Sequence, residues 1–193
     1  MNIFSKIIEN TTYTQKKNLY KNDNFILGKD ESLYPKFTRI FGINYAVNVY
    51  YLKINSPALN LKDNTINIHL PMQYRKNNNQ NLLNIILFKM YTKIAENEIE
   101  FIMEKARHIF KFAPEDYQIQ KISNSLASCN TETGTIYINP YIAMYNKDII
   151  EYIIFHEFCH LKYKTHSKKF YNMLKKYKPN YESIAKQIPN LKY

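Results

Sequence analysis

The stretch Tyr152-Ile-Ile-Phe-His-Glu-Phe-Cys-His-Leu161 is the most informative part of this 193-residue sequence. It is apolar on almost every side except at His156, Glu157 and His160. Since an α-helix has about 3.6 residues per turn, the two histidines lie one turn apart on the same face and can bind one metal ion together. Burying such polar groups is costly unless they are paired or bind metal. The H-E-x-x-H pattern therefore predicts a zinc site on a buried helix.

Glu157 follows the first histidine by one residue, so it points to a different side of the helix. It is poorly placed to bind the same ion directly, but it can reach a water molecule that the ion holds. Zinc lowers the pKa of such a water to about 7, and a neighbouring carboxylate can accept its proton. Glu157 is therefore predicted to be the general base of a metal-assisted hydrolysis.

A catalytic zinc ion usually has three protein ligands and one open position. The predicted third ligand is His166, which follows His160 by six residues. On a continuous helix that spacing would point the two rings apart, so the chain is expected to turn between Tyr163 and Thr165. Ser167 is the expected N-cap of a following helix.

The flanking sequence predicts an α+β fold. Strands are expected in residues 39–54 and 65–70, and they are expected to pair. Residues 81–112 contain no Gly or Pro and predict one long helix or two abutting ones. Thr133-Gly134-Thr135 predicts a turn, so residues 117–138 are expected to form a hairpin that ends in the strand Ile136-Tyr-Ile138. Helices are expected at 148–163 and from Ser167 to Tyr177.

The domain prediction divides the chain into two parts. Residues 1–36 show no sustained periodicity and are expected to form an N-terminal extension or irregular cap. Residues 37–193 are expected to form a single domain with the metal site. The two cysteines, Cys129 and Cys159, are too few for a disulfide framework and are expected to be reduced thiols. The sequence shows neither a secretory signal nor a transmembrane segment, so we expect a cytoplasmic protein without a membrane partner.

The formal net charge of +11 raises the question of a polyanionic partner. Residues 161–180 contain seven lysines and no acid: Lys162, Lys164, Lys168, Lys169, Lys175, Lys176 and Lys178. This basic C-terminal segment is either the solvated face of a helix or a surface that binds nucleic acid. A generally lysine-rich composition explains the same charge without any such partner.

Residues 123–181 resemble the YgjP-like metallopeptidase family, which is related to SprT-like zinc proteases of the zincin fold. The resemblance rests on Ser128-Cys129, on Gly134-Thr-Ile-Tyr-Ile-Asn139, on the histidine-containing helix, and on His166-Ser-Lys-Lys-Phe170. It implies that His156, His160 and His166 bind the metal and that Glu157 is catalytic. It also implies a zincin-like fold, with N-terminal strands, a long helix, a β-hairpin edge strand, a buried metal-binding helix and a C-terminal helix.

One position departs from the family pattern. Relatives commonly have Arg-Trp-Gly before the Ser-Cys pair, where this chain has Ser125-Leu126-Ala127. If that arginine holds substrate in relatives, this chain either binds a different substrate or uses another cation.

Three functions are consistent with these features. The first is a zinc-dependent metallopeptidase, whose cleft is expected between the strand Ile136-Tyr-Ile138 and the metal helix, where an edge strand can align a peptide. The second is a zinc-dependent nucleotide or phosphoanhydride hydrolase, in which lysines near His166 hold phosphate oxygens. The third is a basic nucleic-acid-binding module in which the zinc is structural or vestigial.

Overall fold

The computed structural model describes residues 36–76 and 79–188. Its contacts divide the chain into two compact units, residues 1–90 and 91–193. The predicted extension at residues 1–36 lies almost wholly outside the described residues, so the domain division stays a prediction. Across the described ranges, no helix combines the length and apolar character needed to cross a membrane.

The first unit contains a four-stranded sheet in the order β1-β2-β4-β3. The strands are β1 (Phe37–Ile40), β2 (Ile43–Leu52), β3 (Ala58–Lys62) and β4 (Thr65–Pro71). The predicted pairing of β2 with β4 is confirmed, and the two run parallel. β1 and β3 were not predicted as separate strands, and each borders a tight turn. Phe41 and Gly42 have φ of 51° and 81°, and Asp63 and Asn64 have φ of 48° and 55°.

Alternation along β4 separates a buried face of this sheet from a more exposed one. Ile66, Ile68 and Leu70 are fully buried on one face. On the opposite face, Asn67 accepts a hydrogen bond from Asn48 of the neighbouring strand at 3.4 Å. This period-two pattern is what a strand with one apolar face produces.

A single helix, α1 (Gln80–Phe110), begins in the first unit and ends in the second. Of the two expected arrangements, the structure therefore has one long helix. It is followed by Lys111, whose φ of 61° breaks the helical path three residues before Pro114. The lack of Gly or Pro across its 31 residues explains why it continues so far.

The second unit contains a three-stranded sheet in the order β5-β7-β6. Its strands are β5 (Asp116–Ile119), β6 (Ala127–Asn130) and β7 (Thr135–Ile138). The expected hairpin is present as β6 and β7, but β5 pairs with β7 in parallel on its other side. The strand Ile136-Tyr-Ile138 is therefore central, and the expectation that it is the edge strand beside the metal helix was wrong. β6 is the edge strand that contacts that helix.

Three helices complete the second unit: α2 (Lys147–His160), α3 (Lys168–Tyr177) and α4 (Tyr181–Ala185). Phe110, at the end of α1, lies 5.2 Å from Phe155 and 5.3 Å from Phe158 of α2, measured between ring centroids. Tyr177 of α3 lies 4.4 Å from the same ring. These aromatic contacts fix α2 as the buried helix that its composition predicted, and the α+β fold class is confirmed.

Candidate metal centre

Three imidazole nitrogens converge at one point of the second unit. The Nε2 atom of His160 lies 3.2 Å from Nε2 of His156 and 3.1 Å from Nε2 of His166. The third pair, His156 and His166, is separated by 2.9 Å. The structure thus brings together the three histidines singled out in the sequence, although His166 is separated from the other two by a break in the helix.

The donor set fits a zinc ion. A tetrahedral zinc with nitrogens about 2.0–2.1 Å away holds those nitrogens about 3.3 Å apart, close to the observed spacing. His160 Nδ1 lies 3.1 Å from the carbonyl oxygen of Tyr163, to which it must donate, and this leaves the Nε2 lone pair free for a cation. Three ring nitrogens in mutual contact cannot all satisfy one another by hydrogen bonds, because each carries either one proton or one lone pair. A shared cation satisfies all three.

Burial favours the uncharged form of these rings. Burial and the neighbouring His160 and His166 lower the pKa of His156 to about 3. Burial also lowers the pKa of His160 and that of His166. A histidine must be neutral to ligate a metal, so the environment prepares all three for that role.

The turn that delivers His166 begins directly after α2. Leu161 caps the helix, and the N–H groups of Lys162 and Tyr163 both donate to the carbonyl of Cys159, at 3.1 and 2.9 Å. The sequence predicted that the helix continues to about Tyr163 and that the chain turns between Tyr163 and Thr165. Because α2 ends at His160, the helix is shorter than expected. The early end lets the chain fold back so that His166 faces the two helical rings.

Ser167 caps the helix that follows, as predicted. Its Oγ accepts a hydrogen bond from the N–H of Phe170 at 3.4 Å. His166 is therefore fixed between the end of α2 and the start of α3.

Glu157 is buried, and its carboxylate accepts a hydrogen bond from the backbone N–H of Cys129 on β6. Burial raises the pKa of Glu157 to about 8, and the Cys129 hydrogen bond opposes that shift. A bound cation would oppose it further, because it favours the ionised carboxylate. The general-base candidate is thus a carboxylate in apolar surroundings, held by one backbone donor.

No fourth side chain joins the three histidines within residues 36–76 and 79–188. Among the His, Cys, Asp and Glu of those ranges, only these three have ligand atoms that all lie within 4.8 Å of one another. Glu157 is not in this group.

The remaining histidines of the described residues and the two cysteines fall outside the centre. His69 lies on β4, and His108 lies in the last turn of α1. Cys159 is fully buried, as expected for a small apolar residue, and neither cysteine is in a disulfide. Sequence reasoning missed the Cys129 N–H, because a backbone donor has no residue-type signature.

The basic segment divides into two groups of lysines. Six are exposed: Lys162, Lys164, Lys168, Lys169, Lys175 and Lys176. The seventh, Lys178, is buried and pairs with Asp148 and Glu151 of α2. Lys178 is therefore not part of the exposed basic surface and instead binds the end of α3 to α2.

Comparison with known proteins gives a match over nearly the whole chain. The family described as YgjP-like, metallopeptidase domain, matches residues 7–190, which confirms the resemblance seen at residues 123–181. No curated protein matches. Two solved structures share 26% identity and a TM-score of 0.43 with this chain. The metallopeptidase zymogen of Pyrococcus abyssi abylysin is similar over 46% of this chain and 90% of its own. For the zymogen of Methanocaldococcus jannaschii jannalysin the shares are 47% and 86%.

Proposed function

Because the chain belongs to the YgjP-like metallopeptidase domain family, we propose that it is a zinc-dependent hydrolase that cleaves peptide bonds. Membership of that family implies a metal cofactor. In this proposal His156, His160 and His166 hold the ion, and Glu157 is the general base. The observation that supports it best is the convergence of three Nε2 atoms within 3.2 Å of one another.

The chemistry depends on a proton acceptor beside the ion. When bound, zinc lowers the pKa of a coordinated water to about 7 and polarises the substrate carbonyl. Glu157 accepts a proton from the attacking water and then delivers it to the nitrogen of the departing amine. The N–H of Cys129 keeps the carboxylate in place during both transfers.

The edge strand β6 is the proposed docking edge for an extended peptide. The N–H of Asn139 donates to the carbonyl of Leu126, so the main-chain groups of Leu126 face β7. By alternation, the main-chain groups of Ala127 and Cys129 face away from β7. The N–H of Cys129 is engaged by Glu157, which leaves the remaining outward groups for a substrate strand.

Replacing Glu157 with Gln tests the proposal. We expect the variant to retain bound zinc and to lose peptide turnover by about 10²–10⁴-fold, because Gln cannot accept the proton. Glu132→Gln, the same change on the exposed hairpin turn, is the matched control and should keep full activity. Peptide-library cleavage and metal analysis of both purified proteins measure this. Unchanged turnover in Glu157→Gln would remove that residue from its assigned role.

The nucleotide hydrolase is the second candidate, favoured by four exposed lysines near His166: Lys162, Lys164, Lys168 and Lys169. Nucleoside triphosphates tested beside peptides distinguish the two chemistries. Hydrolysis of triphosphates alone would replace the peptidase proposal.

Nucleic-acid binding through the exposed lysines stays a prediction, as does a cytoplasmic location. A gel-shift titration over a salt series tests the binding, since neutralised phosphates make affinity fall steeply with salt. Absence of any salt-dependent shift of DNA or RNA would exclude this partner.

A further inference from the structure

A fourth ring packs against the three histidines. Phe170, in the first turn of α3, has its ring centroid 4.8 Å from that of His156, 4.7 Å from His160 and 4.8 Å from His166. The three imidazole centroids are 4.8–4.9 Å from one another. The four centroids therefore occupy the corners of a nearly regular tetrahedron, with Phe170 at the apex and the imidazoles at the base.

The apex of a tetrahedron lies on one side of its base. Phe170 therefore covers one face of the imidazole triangle and leaves the opposite face uncovered by this ring. Its side chain is fully buried and carries no polar atom, so it brings neither water nor a ligand to the covered face. His160 and His166 are both half-buried, so part of each of these residues remains in contact with solvent.

From this geometry we infer that Phe170 is a positioning residue that seals one face of the histidine triangle, so that water and substrate approach the metal from the opposite face. The inference rests on the proposed zinc site. An apolar shell on one side of a metal controls solvent access and local dielectric, and both affect how tightly the ion is held.

Phe170 also connects α3 to the three histidines. Among the residues described for α3, only Phe170 and Leu174 are buried, and the imidazole contacts involve Phe170. The neighbouring Tyr171 stacks on His166, with centroids 6.0 Å apart and an angle of 27°. The first turn of α3 thus holds the ring of His166, although His166 itself lies between α2 and α3.

The test compares two truncations on the same helix in the full-length protein. Phe170→Ala removes the covering ring, whereas Leu174→Ala removes a fully buried side chain one turn further along α3. We expect Phe170→Ala to lower zinc affinity by about 10–100-fold, as is typical when outer partners of metal ligands are lost. Leu174→Ala should change zinc affinity by no more than a few-fold. Competition with a chelator measures zinc affinity, and circular dichroism confirms that both variants are folded.

Substitution with cobalt(II) provides a readout that a purely structural role would not change. Cobalt in the wild-type protein should give the intense visible absorption of a four-coordinate site, and Phe170→Ala should weaken it as water enters from the face that the ring had covered. Phe170→Leu, which keeps an apolar side chain, should restore most of the intensity and most of the zinc affinity. It also keeps the test decisive if the alanine variant does not fold.

Kinetics on the zinc-saturated enzyme test the approach from the opposite face. Phe170→Leu should leave the KM for peptide unchanged and affect only kcat, because the ring does not touch substrate. A raised KM, or equal zinc affinity and cobalt spectra in wild type and both Phe170 variants, would overturn the inference while leaving the proposed function intact. A wild-type protein that binds no zinc would overturn both.

Discussion

The two helices that build the metal centre have opposite characters. In α2, every residue from 152 to 159 is buried, including His156 and Glu157. In α3, only Phe170 and Leu174 are buried, and the opposite face carries exposed lysines. The centre therefore combines two ligands on a buried core helix with a third whose position depends on a surface helix.

The largest expected difference between the two helices concerns the ligands themselves. Both His156→Ala and His166→Ala should lower zinc affinity by much more than the roughly 10–100-fold typical of outer partners. The loss should be greater for His156→Ala, because His166→Ala keeps two ligands on one helical face. Zinc titration by calorimetry measures both affinities. Weaker binding in His166→Ala than in His156→Ala would show that the ligand outside α2 dominates the centre.

The next effect concerns stability. Phe155 is fully buried on α2 and touches Phe110, so Phe155→Ala should lower the free energy of unfolding by about 3–5 kcal/mol. On α3, Lys175 is exposed, and Lys175→Ala should stay within about 0.5 kcal/mol of wild type. Urea denaturation of both variants gives the values. Similar losses would contradict the assignment of α2 as core and of this α3 face as surface.

A smaller effect is expected where the two helices are linked by charge. Lys178 pairs with Asp148 and Glu151, and hydrogen bonds to charged groups contribute about 1.5–3 kcal/mol. Lys178→Met should therefore lower the free energy of unfolding by an amount in that range. Lys105 also pairs with Glu151 but is exposed, so Lys105→Met is the control and should cost about 0–1 kcal/mol. Equal losses would show that burial of Lys178 adds nothing.

The smallest effects are expected at the helix caps. Asn146 accepts from the N–H of Ile149 at 2.9 Å, whereas the corresponding bond of Ser167 is longer, at 3.4 Å. Asn146→Ala should cost about 1 kcal/mol of stability, and Ser167→Ala less. Only Ser167→Ala should also weaken zinc binding, since that cap adjoins His166. A parallel loss of zinc affinity in Asn146→Ala would remove the proposed distinction between the helices.

Much of the fold was predictable wherever a signal is local. The uninterrupted helix α1, the Ser167 cap and the turn at Gly134 follow from residue types that act within a few positions of each other. The separate strand β1 was missed because the turn at Phe41-Gly42 interrupts a run that remains β-prone on both sides. The central place of β7 was missed because β5, which pairs with it, is only four residues long.

The sequence alone established that His156 and His160 share a helical face, because the period of a helix is fixed by its backbone. It determined also that this helix is buried, since its apolar residues leave no polar side. Three contacts became visible only in the folded chain: His166 meets these two histidines, Phe170 lies against all three rings, and the N–H of Cys129 reaches Glu157. These contacts join segments separated by turns and strands, and their geometry depends on packing between elements that no local pattern encodes.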